Sequence, residues 1–253
     1  SDPNLTVREV MDTEFKPLKI ESDQIDVYNQ FKTRDLFSAP VVDDMNHLLG
    51  RITVDDIIEV AVDEVEQDFI GFAQIEEDIF ASPKKSIKNR VLWLSINLLT
   101  AVIAAASISL FEDVIEKVVY AAILMPIVAS MGGIAGSQSL ALVIRAQALD
   151  QIGSSNSKLL ILKESAIGLL NGIIWSGVIA AIVYFWFDSV FLGGVIAAAI
   201  MINLIIGAIS GVSLPLILEK LDIDPALAGG VILTTITDVV GFVSLLGIAT
   251  FLM

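Results

Sequence analysis

Five long apolar runs, over residues 91–111, 118–144, 165–187, 191–218 and 226–253, govern what this chain can fold into. A helix needs about 20 residues to cross a hydrocarbon core of about 30 Å, and each run meets that length. With no water in the bilayer to bond the backbone, each run must satisfy its own amides and carbonyls as a helix. The fold class that follows is a polytopic α-helical membrane protein with five transmembrane helices and a small polar module in front. Apolar residues make up 55% of the chain and mean hydropathy is +0.78, so the runs, not the polar front, set its character.

The charged residues between the runs orient them. Lys84, Lys85, Lys88, Arg90, Arg145, Lys158, Lys163 and Lys220 fall on one side and Lys117 alone on the other, an imbalance of eight to one. By the positive-inside rule the N-terminus is cytoplasmic and, after five crossings, the C-terminus is outside. The expected location is the plasma membrane, in contact with lipid.

The net charge of −15 is concentrated at the front: residues 1–83 carry 20 acidic and 6 basic side chains, a net of −14. Such a balance argues against nucleic acid as a partner and suits cations or simple solvation. Patterning there predicts a helix over 5–11, a strand over 17–20 and a helix over 23–37 capped by Ser22. A strand over 40–43, a turn over 44–47, a strand over 48–52 and a helix capped by Thr53 follow. From 59 to 82 an amphipathic connector displays Glu64, Glu66, Asp68, Glu76, Glu77 and Asp78, which read either as a solvated face or as like charges awaiting a divalent cation. The domains are thus 1–60, a connecting helix over 61–90 and a membrane domain over 91–253. The first residue is Ser and no signal peptide precedes the polar region, which suggests a processed or shortened chain.

Catalysis finds little support. Cysteine is absent, the single histidine, His47, sits in a predicted turn, and no Ser-His-Asp, HExxH or P-loop pattern occurs, so the chain is not expected to be an enzyme.

The residue that asks for a function is Asp238, near the middle of the last run. A carboxylate at bilayer depth costs from about 2.5 to more than 10 kcal/mol and persists mainly where it meets water, an ion or a partner. At helical spacing Gly230, Thr234, Asp238 and Gly241 share a face, offering a carboxylate, a hydroxyl and accessible backbone. These hard oxygen ligands suit Mg²⁺ or Ca²⁺ rather than softer metals. One carboxylate half-neutralises a divalent ion, and a twofold dimer would supply the second. Asn97, Gln138, Asn171 and Asn203 place one amide in each of the first four runs, which serve interhelical hydrogen bonding or a wet pore equally well.

Two resemblances bear on these readings. Val-Arg-Glu-Val-Met (7–11), Ser-Ala-Pro-Val-Val-Asp (38–43) and Gly-Arg-Ile-Thr-Val-Asp-Asp (50–56) resemble a CBS motif. It implies that Thr53 and Asp56 contact the phosphate and ribose of ATP or another adenine nucleotide. Such motifs pair, and only one is visible, so its partner has been lost from the chain or lies in a second copy. Pro126-x5-Gly132-Gly133-x-Ala135-Gly136-Ser137-Gln138, Lys163-Glu164 with Gly168-Leu-Leu-Asn-Gly172, and Asp224-Pro225-Ala226-Leu227-Ala228 through Thr234-Thr-Ile-Thr-Asp238-Val-Val-Gly241 resemble the MgtE family of magnesium channels. The resemblance implies a homodimeric Mg²⁺ channel with Asp238, Thr234 and Gly230 along the pore. It also implies that the acidic connector is a plug that cytoplasmic Mg²⁺ closes. Two positions depart from the family pattern: Ile134 replaces an amide, and Val231 stands where proline is common. An ion-coupled divalent-cation transporter or exchanger is the nearest alternative function. A membrane-anchored CBS ligand sensor is the alternative from another class.

Overall fold

The computed structural model describes residues 6, 9, 17–62, 82–117, 119–149, 151–152 and 156–252. The chain divides into two compact units, Ser1–Phe69 and Ile70–Met253. The predicted helix over 5–11 lies outside the described residues apart from Thr6 and Glu9. There the Thr6 N–H and hydroxyl both donate to Glu9 Oε2 at 2.8 Å and hold that carboxyl below its ordinary value.

In the first unit, β1 (Leu18–Lys19), α1 (Gln24–Arg34), β2 (Ser38–Val42), β3 (Leu48–Thr53) and α2 (54–62) build a three-stranded sheet with helices. The strand order is β1-β2-β3, β1 parallel to β2 with Leu18 opposite Val41, and β2 antiparallel to β3 with Ala39 opposite Ile52. Leu18, Val27, Phe31, Ala39 and Ile57 form the core between sheet and helices. Helix α1 starts and stops differently from the reading of its sequence. Its cap is Asp23, whose Oδ1 accepts from the Ile25 amide at 2.9 Å, while the Ser22 hydroxyl oxygen accepts from Lys19 N–H at 3.3 Å and closes the preceding turn. It ends at Arg34 because Asp35 adopts a left-handed conformation (φ 51°), which stops helix propagation and leaves Phe37 exposed. His47 belongs to the β2–β3 turn: its N–H donates to Asp43 Oδ1 at 2.7 Å and its ring Nδ1 lies 3.1 Å from Asp43 Oδ2.

The second unit is helical: α3 (Pro83–Ser109), α4 (Glu112–Lys117), α5 (Val119–Ala148), α6 (Ser157–Phe187), α7 (Val190–Lys220) and α8 (Pro225–Leu252). Five of these, all but α4, are long and apolar enough to cross a membrane. Each expected run therefore corresponds to one helix, with the third starting eight residues before 165 and carrying Lys163 and Glu164 within it. Helix α7 is central: half of its most apolar window is buried, against 11% for α3 at the periphery.

Glycine decides how closely these helices approach. A Cβ on Gly207 would stand 2.6 Å from the Gly132 carbonyl, and one on Gly211 would collide with the Gly136 carbonyl. Helices α5 and α7 therefore touch backbone to backbone along 132/207 and 136/211, a parallel pairing that only small residues permit. Gly168 against Leu204 and Ala208, and Gly193 against Ala180, bring antiparallel α6 onto the other side of α7. Helix α8 runs antiparallel to α5, as contacts of Gly136 with Leu233 and of Gly229 with Leu140 require. At one end of the bundle, Tyr120, Tyr184, Phe185, Trp186 and Phe187 form an aromatic cluster, Tyr120 and Phe187 having ring centroids 4.8 Å apart. Amphipathic rings collect at a membrane interface in this way.

Candidate ion site

Asp238 is the fourteenth of the 28 residues of α8. Antiparallel packing sets it against the middle of α5, where Gly133 approaches the neighbouring Thr237. Between the two helices runs a groove of about 620 Å³. Thr234 and Asp238 form one wall; Ser130, Gly133, Ile134, Ser137 and Gln138 contribute to the other. Among the described residues the Asp238 carboxylate has no hydrogen-bond or ion-pair partner. It is an unneutralised acid at the midpoint of an apolar helix.

Two of the groove hydroxyls, those of Thr234 and Ser137, are turned so that they accept. Thr234 Oγ1 donates to the carbonyls of Gly230 and Val231, both at 3.0 Å, and Ser137 Oγ donates to Gly133 O at 2.8 Å. Both of these hydroxyls have spent their proton on their own helix, so their free lone pairs are what they can present to a bound species. With the carboxylate they make a surface of hard oxygen acceptors that suits a cation or the protons of its hydration waters. No group of three or more His, Cys, Asp or Glu side chains that could hold a metal occurs among the described residues. The arrangement accordingly fits a hydrated divalent ion and not a stripped ion in a closed carboxylate cage.

The other expected site residues fall in different places. Gly230 lies one turn before Thr234, with open space where a Cβ would be; its carbonyl is engaged by the Thr234 hydroxyl and it is not on the groove wall. Gly241 does not continue the groove: a Cβ there would lie 2.8 Å from Asn203 Nδ2 and 3.2 Å from Val128 Cγ1. At that depth α5 and α7 close over the face that is open at Asp238. Glu64, Glu66, Asp68, Glu76, Glu77 and Asp78 lie outside the described residues. In the first unit the Thr53 N–H and hydroxyl both donate to Asp56 Oδ2, at 2.9 and 3.0 Å, which ties the start of α2 to its first turn. Asp56 also borders a cleft of about 350 Å³ with Lys19, Ile20, Val27, Val41 and Ile52, whereas Thr53 does not line it.

Glu164 entered the sequence analysis only within the Lys163-Glu164 motif, with no site role assigned to it. It is 4% exposed, in α6, and its Oε2 accepts from the Ser139 hydroxyl of α5 at 2.8 Å. Lys163 Nζ lies 3.6 Å from its other oxygen. Helix α6 begins before its apolar run, so Glu164 is a buried acid within a spanning helix.

Residues 125–248 match the family model MgtE, described as a divalent cation transporter, and residues 7–63 match that of the CBS domain. The chain is 36% identical over 251 residues to a magnesium transporter MgtE of Bacillus subtilis, covering 98% of this chain and 56% of that protein. A magnesium transporter MgtE of Enterococcus faecalis is 31% identical over 254 residues, covering all of this chain and 56% of its own length. One of Thermus thermophilus is 30% identical over 257 residues, with 100% and 57% covered. The chain thus spans a little over half the length of the curated relatives it matches.

Proposed function

The chain belongs to the MgtE family, and from that premise we propose that it carries Mg²⁺ across the plasma membrane along the α5–α8 groove. The observation that carries the proposal is the unpartnered Asp238 carboxylate facing accepting oxygens at mid-helix depth. Mg²⁺ dehydrates reluctantly and is held through its waters by few carboxylates, which is the chemistry this wall offers. Gly230, with open space where a Cβ would be, sets no side chain beside Thr234 one turn on. The N-terminus is cytoplasmic and the C-terminus outside, and no chemical transformation is involved.

The working unit is a homodimer. Thr234 and Asp238 would otherwise present polar atoms to lipid, an unfavourable exposure that a second copy removes while adding the second carboxylate a divalent ion requires. The transport mode is a channel. Comparison of Mg²⁺ flux into liposomes for the intact protein and Asp238→Asn tests the reading, and equal rates would sink it. The acidic connector is the gate: Glu64, Glu66, Asp68, Glu76, Glu77 and Asp78 repel one another until cytoplasmic Mg²⁺ neutralises them and closes the path. Neutralising these six side chains should weaken closure by internal Mg²⁺, as read from currents at graded Mg²⁺; unchanged inhibition returns them to a solvated face.

Coupled transport is the second reading, favoured by the buried Glu164, since coupling to protons needs an ionisable group besides the cation ligand. Flux that follows an imposed pH gradient would select it. In the first unit, the cleft beside Asp56 fits an adenine nucleotide, with apolar walls for the base, Asp56 for ribose hydroxyls and Lys19 for phosphate. The neighbouring apolar groove of about 670 Å³, lined by Tyr28, Phe31, Phe37, Ile57 and Ile58 among others, is the surface for the paired CBS motif.

A further inference from the structure

Asn203 sits at the fourteenth of the 31 positions of α7, is fully buried, and packs against Gly241, one turn of α8 beyond Asp238. Its Nδ2 donates to the Val128 carbonyl of α5 at 2.8 Å. The same amide fills the space a Cβ would need on Gly132 of α5, and lies 2.8 Å from the position of one on Gly241 of α8. One side chain therefore abuts both helices that wall the groove, from behind and one turn of α8 from its carboxylate. Its Oδ1 is buried without a hydrogen-bond partner. An unmet acceptor in an apolar interior costs about 1–3 kcal/mol, so a leucine-sized apolar residue would serve packing alone at least as well. What the amide supplies and leucine cannot is a directed bond that fixes α7 to one rung of α5, with both glycines keyed to its shape.

We propose that Asn203 is a positioning residue for ion selectivity, setting the separation of α5 and α8 at Asp238 and so the size of hydrated cation the groove accepts. The inference rests on the reading of the groove as the ion path. Selection of Mg²⁺ over Ca²⁺ is a matter of site dimensions and rigidity when both present the same ligand chemistry. Asn203 contacts the Val128 carbonyl, Gly132 and Gly241, not the groove lining, so it acts through the walls.

The test is Mg²⁺ and Ca²⁺ flux into liposomes, measured separately for the intact protein, Asn203→Leu and Asp238→Asn, with thermal unfolding of each in detergent. Asn203→Leu is expected to keep its unfolding temperature and conduct Mg²⁺ while its Mg²⁺/Ca²⁺ flux ratio falls about three- to tenfold, the range one net hydrogen bond supports. A ratio unchanged in the folded variant overturns the inference, and so does loss of all flux in folded protein. Should Asn203→Leu not fold, Asn203→Ser is judged by the same ratio. A purely structural role would lower the unfolding temperature and leave the ratio alone. Full flux in Asp238→Asn would remove the ion path itself, whereas an inactive Asp238→Asn beside an unchanged Asn203→Leu ratio removes this inference only.

Discussion

Helix α5 has two faces that obey opposite rules. Toward α7 it shows Gly132 and Gly136, and the partner backbone comes so close that a single methyl group has nowhere to go. Beside α8 it shows Ser130, Ile134, Ser137 and Gln138 along a groove of about 620 Å³ that flanks the line where Gly136 meets Leu233. The residues on the two faces are interleaved in one nine-residue segment. The sealed face fixes where the helix is; the open face is free to carry chemistry because position is already settled behind it. Glycines are thus structural on the first face, and on the second the hydroxyls of Thr234 and Ser137, having donated to their own helices, are those the proposed ion path would use.

That contrast can be broken most severely at the acid. Asp238→Asn should lower Mg²⁺ flux about a hundredfold or more, through loss of a charge-assisted contact in each copy, while leaving thermal unfolding in detergent nearly unchanged. Gly211→Val attacks the sealed face and should do the reverse. It drives a branched side chain into the Gly136 carbonyl and should destabilise by about 1–3 kcal/mol, visible as a lowered unfolding temperature. Ile134→Asn sharpens the comparison from the open side. Ile134 is 57% exposed on the groove wall, so an amide there should not disturb folding but should raise the Mg²⁺/Ca²⁺ flux ratio a few fold, by about the worth of one hydrogen bond. The smallest effect is expected for Gly194→Ala in α7. Nothing lies within 4 Å of its Cβ position, unlike that of its neighbour Gly193, and the change should be neutral or stabilising by up to about 1 kcal/mol in the same unfolding assay.

Much of this was legible in the sequence where a physical rule has one solution. The five helices follow from run length, and Thr234 and Asp238 share the groove because residues four apart stack on one face. Gly241 shows the limit of that rule. Its spacing placed it with Asp238, but which neighbours cover a helix face at a given depth is a property of the bundle. For Asn203 the two readings of a membrane amide could not be separated until its donor had an acceptor, the Val128 carbonyl 75 positions away. For Glu164 the motif was visible but its burial was not, because hydropathy locates the apolar part of a helix, and α6 continues beyond it to a partner, Ser139, on α5. Likewise Ser22 and Asp23 are both good caps, and only backbone geometry assigns the role to Asp23.

The seam of α5 on α7 has a consequence for how such a protein can change. Along Gly132, Gly136, Gly207 and Gly211 there is no neighbouring residue type to drift into, since every alternative to glycine adds a Cβ into an occupied place. The open wall has no such barrier: Ile134, where the resemblance set out above expects an amide, is exposed on the groove and sits in a continuous helix. Substitutions that retune ion preference can therefore accumulate one at a time on the groove side, each judged by transport alone, while the frame beneath them stays closed to variation.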